Sequence, residues 1–203
     1  MANDLPHRRS SRLPSFDYAQ AGAYFVTVCT AGRRLVFGTV AGPTVDLNGV
    51  GRIIEEEWKR TAVLRPGVEL DAFVVMPNHL HAVVLLPCGG SASAADRLRF
   101  QRSPRTLGSL VAGFKAAATA RVNALRGTPG ASVWQRGYFE HVVRDDAALD
   151  RIRTYISDNP LQWSLDRENP DLRGRDAFHE WLAKEGRREL PGRRPHPPPG
   201  LPP

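Results

Sequence analysis

The sequence predicts an α+β domain built on a four-stranded antiparallel sheet, and three observations predict it. Apolar runs rich in β-branched residues alternate with runs of helical period in the order β-α-β-β-α-β-α. The second and third strands are separated only by Pro77-Asn78, a connection short enough to force an antiparallel pair. At 203 residues the chain can bury one substantial core.

Residues 1–21 are polar, with Arg8, Arg9 and Arg12 against Asp4, and read as a loosely ordered basic arm. Ala23 to Thr30 is the first strand, dense in β-branched and aromatic residues. Residues 32–46 are punctuated by glycine, and Leu35-Val36-Phe37 and Thr44-Val45 suggest a hairpin excursion. Asn48 can cap a helix in which Val50, Ile53, Ile54, Trp58 and Ala62 recur on one face, and Pro66-Gly67 ends it. Val68–Met76 and His79–Leu86 are the second and third strands. Residues 88–105 form a loop that is Gly/Ser-rich and then basic, with Arg97, Arg99, Arg102 and Arg105. Thr106 caps a second helix carrying Leu107, Leu110, Val111, Phe114, Ala118, Val122 and Leu125, and Gly127 closes it. Val133 to Val143 reads as the fourth strand. Asp145-Asp146 places carboxylates at the positive end of a third helix, which must finish near Asn159 because Pro160 follows. Residues 164–185 are a short helical extension, and 186–203 a disordered Pro/Arg-rich tail. This order is the split βαβ, ferredoxin-like pattern, with helices on one face of the sheet and one more helix at the end.

The formal charge of +7 points to an anionic partner, and most of the excess lies in the arm, the 88–105 loop and the tail. Arginines there can grip phosphates without reading bases. Cys29 and Cys88 form no metal or redox spacing. No run of eighteen uncharged apolar residues and no apolar leader occurs, so the reading is a cytoplasmic, nucleoid-associated protein without a membrane partner.

His79 and His81 hold the chemistry. Residues i and i+2 of a strand share a face, so two imidazoles project side by side from a strand end. Paired imidazoles suit a divalent metal, although buried histidines bonded to carbonyls would give the same spacing. Tyr155 lies on the third helix with Asn159 four residues on, on the same face. A tyrosine can be a covalent nucleophile and an amide oxygen a metal ligand. Packing of Tyr155 and capping by Asn159 is the alternative. On the fourth strand, alternation puts Trp134, Arg136, Tyr138 and Glu140 on one side, either as a base-stacking, phosphate-holding face or as an aromatic core face. Glu140 and His141 are further candidates for a metal.

Met76-Pro77-Asn78-His79-Leu80-His81, the run Trp134 to Arg144, Tyr155-Ile156 and Asn159-Pro160 together resemble the single-tyrosine HUH transposases, in particular the REP-associated tyrosine transposase branch. The resemblance spans roughly residues 14–163 and implies that residues 22–163 are the catalytic domain. It implies His79, His81 and Asn159 as ligands of Mg²⁺ or Mn²⁺, Tyr155 as the nucleophile and a single-stranded DNA hairpin as substrate. Relatives work as monomers or homodimers, and both remain open. Two other classes are compatible with the residues alone: a non-catalytic nucleic-acid-binding module, and a metal-dependent phosphodiesterase using activated water.

Overall fold

The computed structural model describes residues 22–87 and 106–186. The basic arm, the 88–105 loop with Arg97, Arg99, Arg102 and Arg105, and residues 187–203 lie outside the described residues. The elements are β1 (Gly22–Cys29), a 3₁₀ turn (Ala31–Arg33), β2 (Gly38–Ala41), β3 (Thr44–Leu47), α1 (Gly49–Leu64), β4 (Glu69–Val75), β5 (His79–Leu86), α2 (Leu107–Arg126), β6 (Phe139–Val143), α3 (Asp146–Asp158), a second 3₁₀ turn (Trp163–Leu165) and α4 (Ala177–Glu185).

The main sheet is antiparallel throughout, in the order β4-β5-β1-β6, and β2-β3 forms a separate hairpin. Consecutive β4 and β5 pair, while β1 and β6 reach their neighbours across helices, as the split βαβ pattern requires. The pleat then divides the core in two. Tyr24, Val26 and Val28 of β1 and Leu80, Ala82 and Val84 of β5 face α1 and α2, where Ile54, Trp58, Leu110, Phe114, Ala118 and Val122 complete the larger cluster. Phe25 and Val83 face the opposite side, against Ile152, Tyr155 and Ile156 of α3 and Phe178 and Leu182 of α4. In register, Phe25 opposes Val83, Thr27 opposes His81 and Cys29 opposes His79. The two histidines therefore share the face covered by α3.

Local chemistry starts the first three helices where the sequence indicates, and a further cap starts α4. Asn48 accepts hydrogen bonds from the amides of Val50 and Gly51, Thr106 from Ser109, Asp145 from Ala148 and Asp176 from His179. Gly127, at φ 63°, stops α2 in the left-handed conformation open to glycine. The Pro77-Asn78 turn is anchored from three sides. The Pro77 carbonyl accepts from the amides of Val36 and Phe37, the Asn78 carbonyl accepts from Thr30, and Met76 donates to the His79 carbonyl.

Two elements differ from expectation. Leu35-Val36-Phe37 is not a strand, because its amides are spent on Pro77 and the hairpin begins only at Gly38. The fourth strand starts at Phe139, not Val133. Trp134 makes a single bridge to Thr30, and Gly137 then turns the chain at φ 76°.

The hairpin is held so close to α1 that residue 51 has no room for a side chain. A Cβ at Gly51 would lie 2.1 Å from the Phe37 carbonyl oxygen. Gly51→Ala is expected to cost about 3 kcal/mol, the upper end of ordinary overpacking, because backbone must move. Urea unfolding with an unchanged midpoint would contradict this placement.

Candidate functional site

The start of β5 sets both imidazoles in the wall between sheet and α3. His79 and His81 are fully buried, with ring centroids 4.2 Å apart. Helix α3 runs across the same face and brings Tyr155 to them, its hydroxyl oxygen 3.3 Å from His81 Nε2. One turn further, Asn159 ends the helix and is also fully buried. The four residues singled out for chemistry thus converge.

A fifth group, not foreseen, joins them. Pro160 stops the helix, the 3₁₀ turn Trp163–Leu165 carries the chain back over the site, and Asp166 follows. Its Oδ2 accepts hydrogen bonds from the Tyr155 hydroxyl at 2.8 Å and Asn159 Nδ2 at 2.6 Å. The same oxygen is 3.3 Å from His81 Nε2 and 3.8 Å from His79 Nε2. One ligand atom from each of His79, His81 and Asp166 falls within a 4.8 Å group.

Whether this set fits a cation is answered by what it leaves unpaired. His79 Nε2 and Asn159 Oδ1 are buried with no hydrogen-bond partner. Orphaned buried acceptors are costly and need an explanation. His79 Nε2 lies 3.8 Å from Asp166 Oδ2, which is itself 3.3 Å from His81 Nε2. Two imidazoles, an amide oxygen and a carboxylate suit a divalent cation, and no thiolate takes part. The residues fit the group. Cys29, the one thiol among the described residues, bonds to Glu168 at 3.3 Å, and burial together with that carboxylate pushes its thiol up, so it stays protonated.

No protein-family model matches the chain. An uncharacterised protein of Haemophilus influenzae is 34% identical over 170 residues, which cover 80% of this chain and 93% of that protein. The chain belongs to the family of that protein. It also shares the fold of a solved REP-associated tyrosine transposase bound to a REP hairpin, with a TM-score of 0.51 and 20% identity over 87% of this chain and 88% of the other.

Electrostatics within the site are sharply divided. Burial, reinforced by the neighbouring His81, lowers the His79 pKa well below that of a free imidazole, so His79 is neutral and offers a lone pair. Burial works against an ionised Asp166, yet the hydrogen bond from His81, the two imidazoles and the Asn159 amide hold it far below the usual carboxylate range. Tyr155 is pushed strongly upward by burial and then by Asp166 and Asp176. As it stands, the site keeps the phenol protonated and its proton on a bond to Asp166.

Aromatic packing fixes the geometry. Phe178 of α4 stacks on Tyr155 at 3.6 Å and 6°, Phe25 stacks on His81 at 5.3 Å, and Trp163 lies 5.9 Å from His79. His179, held by Asp176 at 2.7 Å, sits against both Tyr155 and His81. Arg33 pairs with Glu168 at 3.0 Å and donates to the Arg167 carbonyl, tying the first 3₁₀ turn to the returning segment.

The other sequence candidates lie elsewhere. Trp134 is a core residue, 8% exposed, packed on Phe37 and Phe114 with its Nε1 donating to the Lys115 carbonyl. It offers no face for a base, and because β6 begins only at Phe139 the four residues from Trp134 to Glu140 do not alternate along one strand. Arg136 is exposed in the turn beside Gly137, and Tyr138 packs against the larger core cluster. Glu140 and His141 stay outside the metal-competent group and line a cavity of about 200 Å³ with Arg144, Arg167 and His179.

Burial, and secondarily Arg144, lowers His141 to about 4 from 6.5. The unfolded chain therefore takes up this proton first as pH falls. The neutral buried imidazole costs stability progressively between pH 6.5 and 4, by about 3 kcal/mol at the lower limit. His141→Gln should flatten the loss of Tm over that window. An equally steep loss in the variant would exclude His141 as a source.

Proposed function

We propose that this protein is a single-stranded DNA transposase that cleaves and rejoins DNA beside hairpins of the REP type through a 5′-phosphotyrosine link on Tyr155. The observation that carries this reading is the Tyr155 hydroxyl, 3.3 Å from His81 Nε2 and 2.8 Å from Asp166, beside the His79-His81-Asp166 donor group. The shared fold with a transposase bound to a REP hairpin supports it.

The chain's own groups divide the work. His79, His81 and Asp166, with Asn159, would hold Mg²⁺ or Mn²⁺, whose charge, when bound, polarises the scissile phosphate and favours the phenolate. Tyr155 attacks phosphorus as its proton passes to water, which in turn supplies the proton taken by the departing 3′-oxygen. The O–P bond forms, the P–O3′ bond breaks, and the leaving oxygen takes a proton to become a free 3′-hydroxyl. A second 3′-hydroxyl then attacks the phosphotyrosine, Tyr155 leaves, and a new phosphodiester is closed. No nucleotide triphosphate is consumed, because the phosphotyrosine conserves the bond energy. His79, His81, Asn159, Tyr155 and Asp166 are at most 8% exposed, so DNA reaches them only when the cover of the site opens. Arg136, exposed beside the edge strand β6, and Arg97, Arg99, Arg102 and Arg105, which lie outside the described residues, would add salt-dependent phosphate contacts.

Incubation with labelled single-stranded hairpin DNA and Mn²⁺, followed by a denaturing gel, should show label migrating with the protein. Tyr155→Phe is expected to lose that adduct entirely while binding the hairpin within about twofold of the parent. Cleavage persisting without an adduct would transfer the reaction to activated water, and binding without cleavage in the parent would leave a non-catalytic module. Asp166→Asn keeps the size of the side chain and removes its charge. It should weaken Mn²⁺ binding at least about tenfold, measured by calorimetry on DNA-free protein, and unchanged affinity would remove Asp166 from the ligand set.

A further inference from the structure

We propose that Asn78 presets His79 as a ligand by fixing which of its ring nitrogens carries the proton. This rests on the metal-site reading above. Asn78 is fully buried. Its Nδ2 donates to two backbone carbonyls, those of Arg33 at 3.1 Å and Glu168 at 2.7 Å. Carbonyls only accept, so the amide cannot be flipped without losing both bonds. Its Oδ1 is thereby turned toward His79 Nδ1 at 2.8 Å. That oxygen is also only an acceptor, and Nδ1 must supply the hydrogen. A neutral imidazole has one N–H, so the lone pair falls on Nε2. Nε2 is the atom left without a partner, directed toward Asp166 and the His81 ring.

The frame around the amide is itself closed. Arg33 and Glu168, whose carbonyls hold Asn78, are joined to each other by an ion pair at 3.0 Å. Arg33 takes a left-handed conformation, φ 54°, unusual for a residue with a side chain, and its carbonyl there accepts from Asn78. His81 contrasts with this. Its Nδ1 meets the Thr27 hydroxyl at 2.9 Å, and a hydroxyl can donate or accept, so His81 can adopt either tautomer as its surroundings demand. One ligand is fixed in advance and the other adjusts.

The test needs no active enzyme. In full-length, ¹⁵N-histidine-labelled protein stripped of metal by chelation, long-range ¹H–¹⁵N correlation reports the protonated nitrogen of each ring, and His79→Gln identifies the His79 signals. A bare Nε2 with a protonated Nδ1 is expected. A protonated Nε2, or signals averaged between the two forms, overturns the proposal without recourse to a variant. Mn²⁺ titration then separates the positioning role from mere packing. Asn78→Ala should weaken binding about 10- to 100-fold, the usual cost of losing an outer-shell partner, and its His79 ring signals should average between the two tautomers. Equal affinity of Asn78→Ala and the parent overturns the positioning role while leaving the metal site standing. Failure of the parent to bind Mn²⁺ overturns the metal site and, with it, the purpose given to Asn78, whatever tautomer the spectrum shows.

Discussion

One carboxylate oxygen holds the site together. Asp166 Oδ2 receives the Tyr155 hydroxyl and the Asn159 amide and faces both imidazoles, so β5, α3 and the returning segment meet at a single atom. A buried charge is tolerable only when hydrogen bonds and opposite dipoles replace its lost hydration. Each of those elements is therefore constrained to bring a donor to the same point. The ring stack of Phe178 on Tyr155 and the Arg33–Glu168 pair act from outside, preventing the segment that carries Asp166 from drifting away from it.

The same atom sets up an electrostatic opposition. Without a cation, a carboxylate beside a buried phenol keeps the phenol protonated, which is the reverse of what a nucleophile needs. A cation among the same donors would take the carboxylate as a ligand and would offset its influence on the phenol. The two unpaired acceptors, His79 Nε2 and Asn159 Oδ1, fit that second arrangement and have no use in the first. A purely structural cluster of this composition would be expected to pair those atoms, since each unpaired buried acceptor costs about 1–3 kcal/mol.

Legibility in the sequence followed the range of the interaction involved. The order of strands and helices, the caps at Asn48, Thr106 and Asp145, and the shared face of His79 and His81 depend on neighbours within a few residues, and local chemistry reveals them. Tyr155 and Asn159 were legible because one helical turn separates them and motif resemblance supplied their destination. Trp134 misled because β-type residues continue through a segment that the Gly137 turn breaks, and its fate was decided by Phe37 and Phe114, distant in sequence. Asp166 gave no local signal. It lies beyond a helix-stopping proline, and only the 3₁₀ turn returning over β5 reveals that an acid seven residues after Asn159 meets histidines more than eighty residues earlier. The sole hint was an Asp and a Glu, at 166 and 168, just past a predicted helix end.

The distribution of tasks around β5 follows from its pleat. Even-numbered Leu80, Ala82 and Val84 serve the larger core, while His79, His81 and Val83 face α3, so one strand supplies both stability and chemistry. A one-residue slip in the β1–β5 pairing would exchange these faces, burying imidazoles among Trp58 and Phe114 and turning leucine toward Tyr155. The β4–β5 connection guards against that slip. Pro77 and Asn78 are pinned by Val36, Phe37 and Thr30, and Asn78 grips its own successor His79 through the side chain. The turn that fixes the register of the sheet is thus the same turn that orients the His79 ring, and fold and candidate site are specified by one set of hydrogen bonds.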